Sequence, residues 1–154
     1  MTNTSRLAAI LATALTLATG VTPALAHDDA TLDAVKTSNG GQLRMAGIYH
    51  YELVMVKDAK EAKEHAVLVF VTDHGGKKIP TTGASGTATI LAGKLKASAA
   101  LKPDGDNRLK GVATYASSPD MKVVVSITQQ GKPPEQARFT PMAVAQDEHM
   151  NHKP

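Results

Sequence analysis

From position 42 to about 140 the chain is built of short apolar runs, each only a few residues long and nearly all followed by Gly, Pro, Asp or Asn. Apolar residues recur with a period near two, and that spacing is the signature of strands with one buried face. His65 to Asp73 (HAVLVFVTD) is the strongest of these runs. It is apolar on both faces, which places it centrally in a sheet. Leu43, Met45, Tyr49, Tyr51, Leu53 and Met55 share one parity, whereas Ile48, His50, Glu52, Val54 and Val56 share the other. This reads as one strand with an irregularity at Gly47. Further strands are expected over 86–91, 95–101, 108–114, 121–128 and 136–140, joined by turns such as Ala92-Gly93-Lys94 and Pro103-Asp104-Gly105-Asp106-Asn107. The only stretch with helical character is the charged connector 58–64. Seven strands at this spacing predict an all-β fold: a single antiparallel β-sandwich of immunoglobulin-like architecture.

The ends of the chain have a different composition. Residues 1–26 read as a secretory signal peptide. Arg6 precedes an apolar run beginning at Leu7, and the segment ends in the small-x-small triplet Ala24-Leu25-Ala26. The run is too short and too rich in threonine for a membrane span, and nothing later in the chain approaches one. Cleavage there would send the protein to the periplasm with His27 as its first residue. Removing 26 of the 154 residues leaves 128, enough for one compact domain. The expected organisation is a flexible arm over 27–41, a β-sandwich over 42–141 and a flexible His/Met-containing tail over 142–154.

Composition removes several function classes. There is no cysteine, hence no disulfide and no thiolate metal site. The 17 Lys and Arg are scattered and tryptophan is absent, so the basic stripe with interleaved aromatics expected of a nucleic-acid binder is missing. No Gly-x-Ser-x-Gly elbow occurs. Gly83-Ala84-Ser85-Gly86 lacks the lysine of a phosphate loop, and no spacing sets two carboxylates in a cleft. The chain reads as a non-enzyme.

The chemistry that remains lies in six histidines. As a new N-terminus, His27 would offer an α-amine and an imidazole to one ion; the plainer reading is a residue on an arm. Asp147-Glu148-His149-Met150-Asn151-His152 sets two imidazoles and a thioether within four positions. Imidazole suits copper, zinc and nickel, and the softer sulfur shifts preference toward Cu(I). The plainer reading here is a solvated terminus. His50 and Glu52 lie on one face of their strand, where His50 is either a ligand or a half-buried histidine bonded to Glu52 or to backbone. His74 follows the central strand, and it approaches His50 if the two strands are neighbours. His65 belongs to the opposite face and the opposite end, so one site using all three is not expected. Met45, Met55 and Met121 read as core filler.

Gly40-Gly41-Gln42, Ala46-Gly47-Ile48-Tyr49-His50-Tyr51-Glu52-Leu53-Val54 and Val69-Phe70-Val71-Thr72-Asp73-His74-Gly75-Gly76-Lys77 resemble a known pattern. It is that of small exported β-sandwich proteins found in bacterial heavy-metal resistance settings. It also resembles the β-domain of periplasmic adaptor subunits of heavy-metal efflux pumps. The stretch from Leu101 to Gly111 and the ending Ala137-Arg138-Phe139-Thr140 fit the same pattern, so the resemblance spans about 39–141. In such proteins a histidine commonly precedes the Gly-Gly pair; here Asn39 stands there, and no ligand carries over at that position. The long helical hairpin of the adaptors is absent.

The resemblance implies metal handling in the periplasm. Together with the histidines it gives the expected function: a copper buffer or carrier (zinc or another divalent metal being the other candidates), with His27, His50, His74, His149, Met150 and His152 as candidate ligands. Binding through imidazoles would weaken below about pH 6. The alternative is a module that binds no metal and docks on an efflux adaptor or another envelope protein, for instance by a sheet edge.

Overall fold

A computed structural model gives the fold and describes residues 29–143. Its elements are a single-turn helix α1 (Asp29–Asp33) and strands β1 (Gln42–Ala46), β2 (Tyr49–Val54), β3 (Lys63–Asp73), β4 (Ser85–Ala92), β5 (Leu95–Pro103), β6 (Arg108–Tyr115), β7 (Lys122–Thr128) and β8 (Pro134–Phe139). Every strand pairing is antiparallel, and the order across the sheet is β1-β2-β3-β6-β5-β4-β7-β8. The all-β expectation therefore holds. The predicted charged connector carries no helix; its last residues are instead the start of β3.

The ladder is continuous and the sheet is nearly barrel-shaped, which supports the all-β class and not the finer immunoglobulin-like arrangement suggested by the spacing. Two four-stranded halves face each other. On one side they join through a short stretch of β5–β6 pairing, Lys102 opposite Lys110 and Pro103 opposite Leu109. On the other side β1 approaches β8, where the Thr140 backbone N–H donates to Gln42 Oε1 at 2.8 Å. Alternation filled the interior as the periodicity implied. Val67, Val69 and Val71 of β3 are wholly buried, as are Tyr51, Tyr115, Leu109 and Val125. A chain with only two Phe and three Tyr cannot fill a wide barrel. Here small inward residues (Ala88, Ala99, Ala113 and Ala137) let the halves close on the larger ones. Gly111 marks a close approach of β6 to β5, because a Cβ there would lie 2.6 Å from the Ala100 carbonyl oxygen.

The expected single strand with an irregularity at Gly47 is a hairpin. Ala46 pairs with Tyr49 across the two-residue turn Gly47-Ile48. Gly47 has φ 58°, the left-handed value that a type II′ turn requires at its first central position. The turn shifts the parity, so Arg44 and Ala46 share the inner side with Tyr49 and Tyr51, while Leu43 and Met45 lie with His50 and Glu52.

The stretch expected to be a mobile arm is docked over 29–41. One helical turn is too short to persist alone. α1 is held by Leu32, which is buried, and by Asp33, whose carboxylate accepts from Arg44 Nη1 at 2.7 Å and Arg44 Nη2 at 3.0 Å. Gln42 Nε2 donates to the same carboxylate at 2.9 Å.

Candidate functional site

The antiparallel register decides which side chains meet on the outer face of β1, β2 and β3. Leu43 pairs with Glu52, Met45 with His50, and His50 with Thr72. Residues on this face would be open to solvent, but the segment 31–38 crosses them and makes a cleft of about 430 Å³. Leu32, Val35 and Lys36 form one wall; Leu43, His50, Glu52, Thr72 and His74 form the other.

His74 reaches the cleft because the turn after β3 is pinned. Asp73 Oδ1 accepts from the backbone N–H groups of Gly75 and Lys77, each at 2.9 Å, and Gly76 N–H donates to the Asp73 carbonyl at 3.0 Å. The His74 ring then lies on the His50 ring, with centroids 4.7 Å apart and planes 12° from parallel. His50 is buried and His74 exposed, so the pair has an inner and an outer member. The neighbouring strands thus bring His50 and His74 together as the sequence suggested. His65 lies at the far end of β3, its ring 4.9 Å from that of Tyr115.

The arrangement of the pair limits its chemistry. A metal ion bound by an imidazole lies in the plane of the ring, along a nitrogen lone pair. Two stacked parallel rings have no such point in common. Chelation by both histidines therefore requires one ring to turn off the stack.

Glu52 is the site residue with an unexpected role. Its buried carboxylate bonds the loop that leads into β1. Oε1 accepts from the backbone N–H of Asn39 at 2.9 Å and of Gly41 at 3.0 Å, while Oε2 accepts from Asn39 Nδ2 at 2.8 Å. Gly41 permits this approach, since a Cβ on it would lie 2.4 Å from the Leu53 carbonyl oxygen. Glu52 thus anchors the end of the segment that roofs the cleft. Asn39 bonds a carboxylate on the cleft wall from the position where the resembled proteins commonly carry a histidine. The sequence signal for this anchor was the bare Asn39-Gly40-Gly41 backbone, whose N–H groups need an acceptor.

The chain matches no family model, no curated protein and no solved structure. Function must therefore be argued from the site itself. His27, His149, Met150 and His152 lie outside the described residues. Among the described residues no group of three or more His, Cys, Asp or Glu side chains is gathered where an ion could be held, and no helix is long and apolar enough to cross a membrane.

Asp33, Tyr51 and Tyr115 have shifted acidities. The Arg44 hydrogen bonds hold the Asp33 carboxyl below its usual range, partly opposed by burial. Burial pushes the Tyr51 phenol well above its usual range, and the nearby Glu135 charge adds to this. Burial also raises Tyr115, against the Val56 N–H that donates to its oxygen at 3.0 Å.

Proposed function

We propose that this protein is an exported, periplasmic metal-binding protein that buffers or carries copper without catalysing a reaction. The His50–His74 pair in the cleft is its point of capture. The observation that carries this reading is the pair itself: two imidazoles, one on β2 and one in the turn after β3, in ring contact at a cleft, one buried and one exposed. Imidazole nitrogens suit Cu(II) and Zn(II), and a buried ligand beside an exposed one fits an ion that must be both taken up and released. The leader-like residues 1–26 support export. The docking-module alternative gains nothing from the sheet edges, because β1 and β8 run toward each other and Gln42 spans them.

The test is copper and zinc titration of the full chain against a competing chelator, with native mass spectrometry for the ion count. His74→Ala, at an exposed position, should leave the fold intact and weaken binding at least tenfold; His50→Gln/His74→Ala should remove tight binding. Proton competition for imidazole should make wild-type binding weaker at pH 5 than at pH 7.5. Wild-type affinity and ion count in the folded double variant would refute the reading.

A further inference from the structure

The roof of the cleft is an arch held at both ends. Asp33 ties its start to Arg44 of β1 by bonds of 2.7 and 3.0 Å. Asn39 and Gly41 tie its end to Glu52 of β2 by three bonds of 2.8 to 3.0 Å. Between these anchors Leu32 is packed down and buried, whereas Val35 lines the cleft with 45% of its surface exposed. The backbone at Val35 is fixed all the same, since its N–H donates to the Leu32 carbonyl at 3.2 Å.

A segment anchored so firmly has every opportunity to close on the strands and bury its apolar side chains, because packed layers rarely keep space larger than a water between them. Here about 430 Å³ stays open. At about 30 Å³ for each water, that is room for roughly 14 of them, far more than one ion fills. It falls within the range of about 300–1,000 Å³ typical of small-molecule sites. The lining gives the chemistry of the occupant. Leu32, Val35 and Leu43 offer apolar surface, the His50–His74 stack offers a flat aromatic one, and Lys36 is the cationic side chain of the lining. Glu52 also borders the space, but both its oxygens already accept from Asn39 and Gly41, so its charge is met within the wall.

We infer that the cleft binds a small aromatic carboxylate, with its ring against Val35, Leu43 and the histidine stack and its carboxylate paired with Lys36. Apolar walls with a few convergent polar groups are what such a ligand requires. The arch is pinned before the ligand arrives, so little ordering is lost on binding. The ligand needs no metal ion. Its binding therefore goes beyond the metal-binding reading above and stands or falls apart from it.

The experiment uses the full chain stripped of metal with EDTA. Naphthoate is titrated in, with naphthamide as an uncharged probe of the same shape; calorimetry gives the affinity and heteronuclear NMR shifts give the place. Naphthoate should bind with a Kd of about 0.1 mM or below and shift residues 31–38, His50 and His74. Two variants at exposed positions, checked for folding by circular dichroism, test the contacts. Lys36→Met should weaken naphthoate about tenfold and remove its advantage over naphthamide. Val35→Trp, which fills the cleft, should abolish saturable binding. No saturable shifts at millimolar naphthoate, shifts confined to other parts of the barrel, or equal affinity of the wild type for naphthamide would overturn the carboxylate site. Copper titration of the wild type keeps the two readings apart. A chain that takes up copper but no naphthoate overturns the carboxylate site alone, and one that takes up naphthoate but no copper supports it while refuting the metal-binding reading.

Discussion

Glu52 gives the sharpest test of how the cleft is built. Its carboxylate accepts three hydrogen bonds of 2.8 to 3.0 Å, two from backbone N–H groups and one from the Asn39 amide. Hydrogen bonds to a charged group contribute about 1.5–3 kcal/mol each, and a buried donor left without a partner costs about 1–3 kcal/mol. Glu52→Ala strips acceptors from the two backbone donors and opens a void under the roof. Water replaces part of what is lost at the half-exposed loop, which brings the expected cost to about 3–5 kcal/mol. Glu52→Gln keeps the shape. Its carbonyl oxygen still accepts from Asn39 and Gly41, and its Nε2 bonds to Asn39 if that side-chain amide flips to present oxygen. Only charge assistance is lost, at about 1–2 kcal/mol. For a domain of this size each kcal/mol moves Tm by roughly 4 °C, so the two variants should separate by about 8–12 °C. Urea denaturation and thermal melts followed by circular dichroism measure both. Asn39→Asp sets two carboxylates together and should be costly in wild type. In Glu52→Gln the same change should be mild, because the amide then donates to the new carboxylate. Equal losses in Glu52→Ala and Glu52→Gln, or no coupling between positions 39 and 52, would show that the bonds are incidental to the loop.

Two further predictions concern the barrel and its docked helix. The Tyr51 hydroxyl is buried without a hydrogen-bond partner among the described residues, whereas the Tyr115 hydroxyl accepts from the Val56 N–H at 3.0 Å. Tyr51→Phe should therefore be neutral or stabilising by up to about 1 kcal/mol, and Tyr115→Phe destabilising by about 1–2 kcal/mol; the same sign for both in urea unfolding would contradict the assignment. Because Arg44 lowers the folded-state pKa of Asp33, its contribution is complete above the unfolded-state value near 3.9 and is lost as pH falls below that. Heteronuclear NOE values for residues 29–35 should drop below about pH 4 ahead of global unfolding, and should already be low at pH 6 in Arg44→Gln. Values that stay constant to pH 2.5 in wild type would refute the ion-pair account.

How much of this was legible in the chain depends on the range of each interaction. Period-two patterning is local, and it located β3 to β8 to within a few residues, because Val67, Val69 and Val71 or Val123, Val125 and Ile127 announce an inward face without knowledge of their neighbours. The β1–β2 turn stayed hidden because Ile48, exposed at the tip, looks like a strand residue, and a two-residue turn changes parity without leaving a polar gap. Closure was beyond reach for another reason. Sandwich and near-barrel share the same alternation and differ in which edges meet, and here that rests on the short β5–β6 junction and on Gln42, 98 positions from Thr140.

The site divides along the same line. Pairing β2 with β3 was enough to bring His50 to His74, since residues two apart from the register partner share a face, and that much follows from alternation alone. The stacking of the rings does not follow from it. It depends on the Asp73 side chain fixing the turn, through bonds that reach four residues at most but are specified by backbone geometry rather than by pattern. Glu52 is the more instructive case. Strand spacing set it on one face with His50, yet backbone donors 11 and 13 positions away bond its carboxylate, because a loop N–H needs an acceptor that patterning does not reveal. The consequence is structural: through Asn39 and Gly41, Glu52 ties the segment that roofs the cleft to the strand that carries His50. On the metal-binding reading proposed above, imidazole donors would favour copper or zinc over calcium or magnesium, whose sites are built from oxygen.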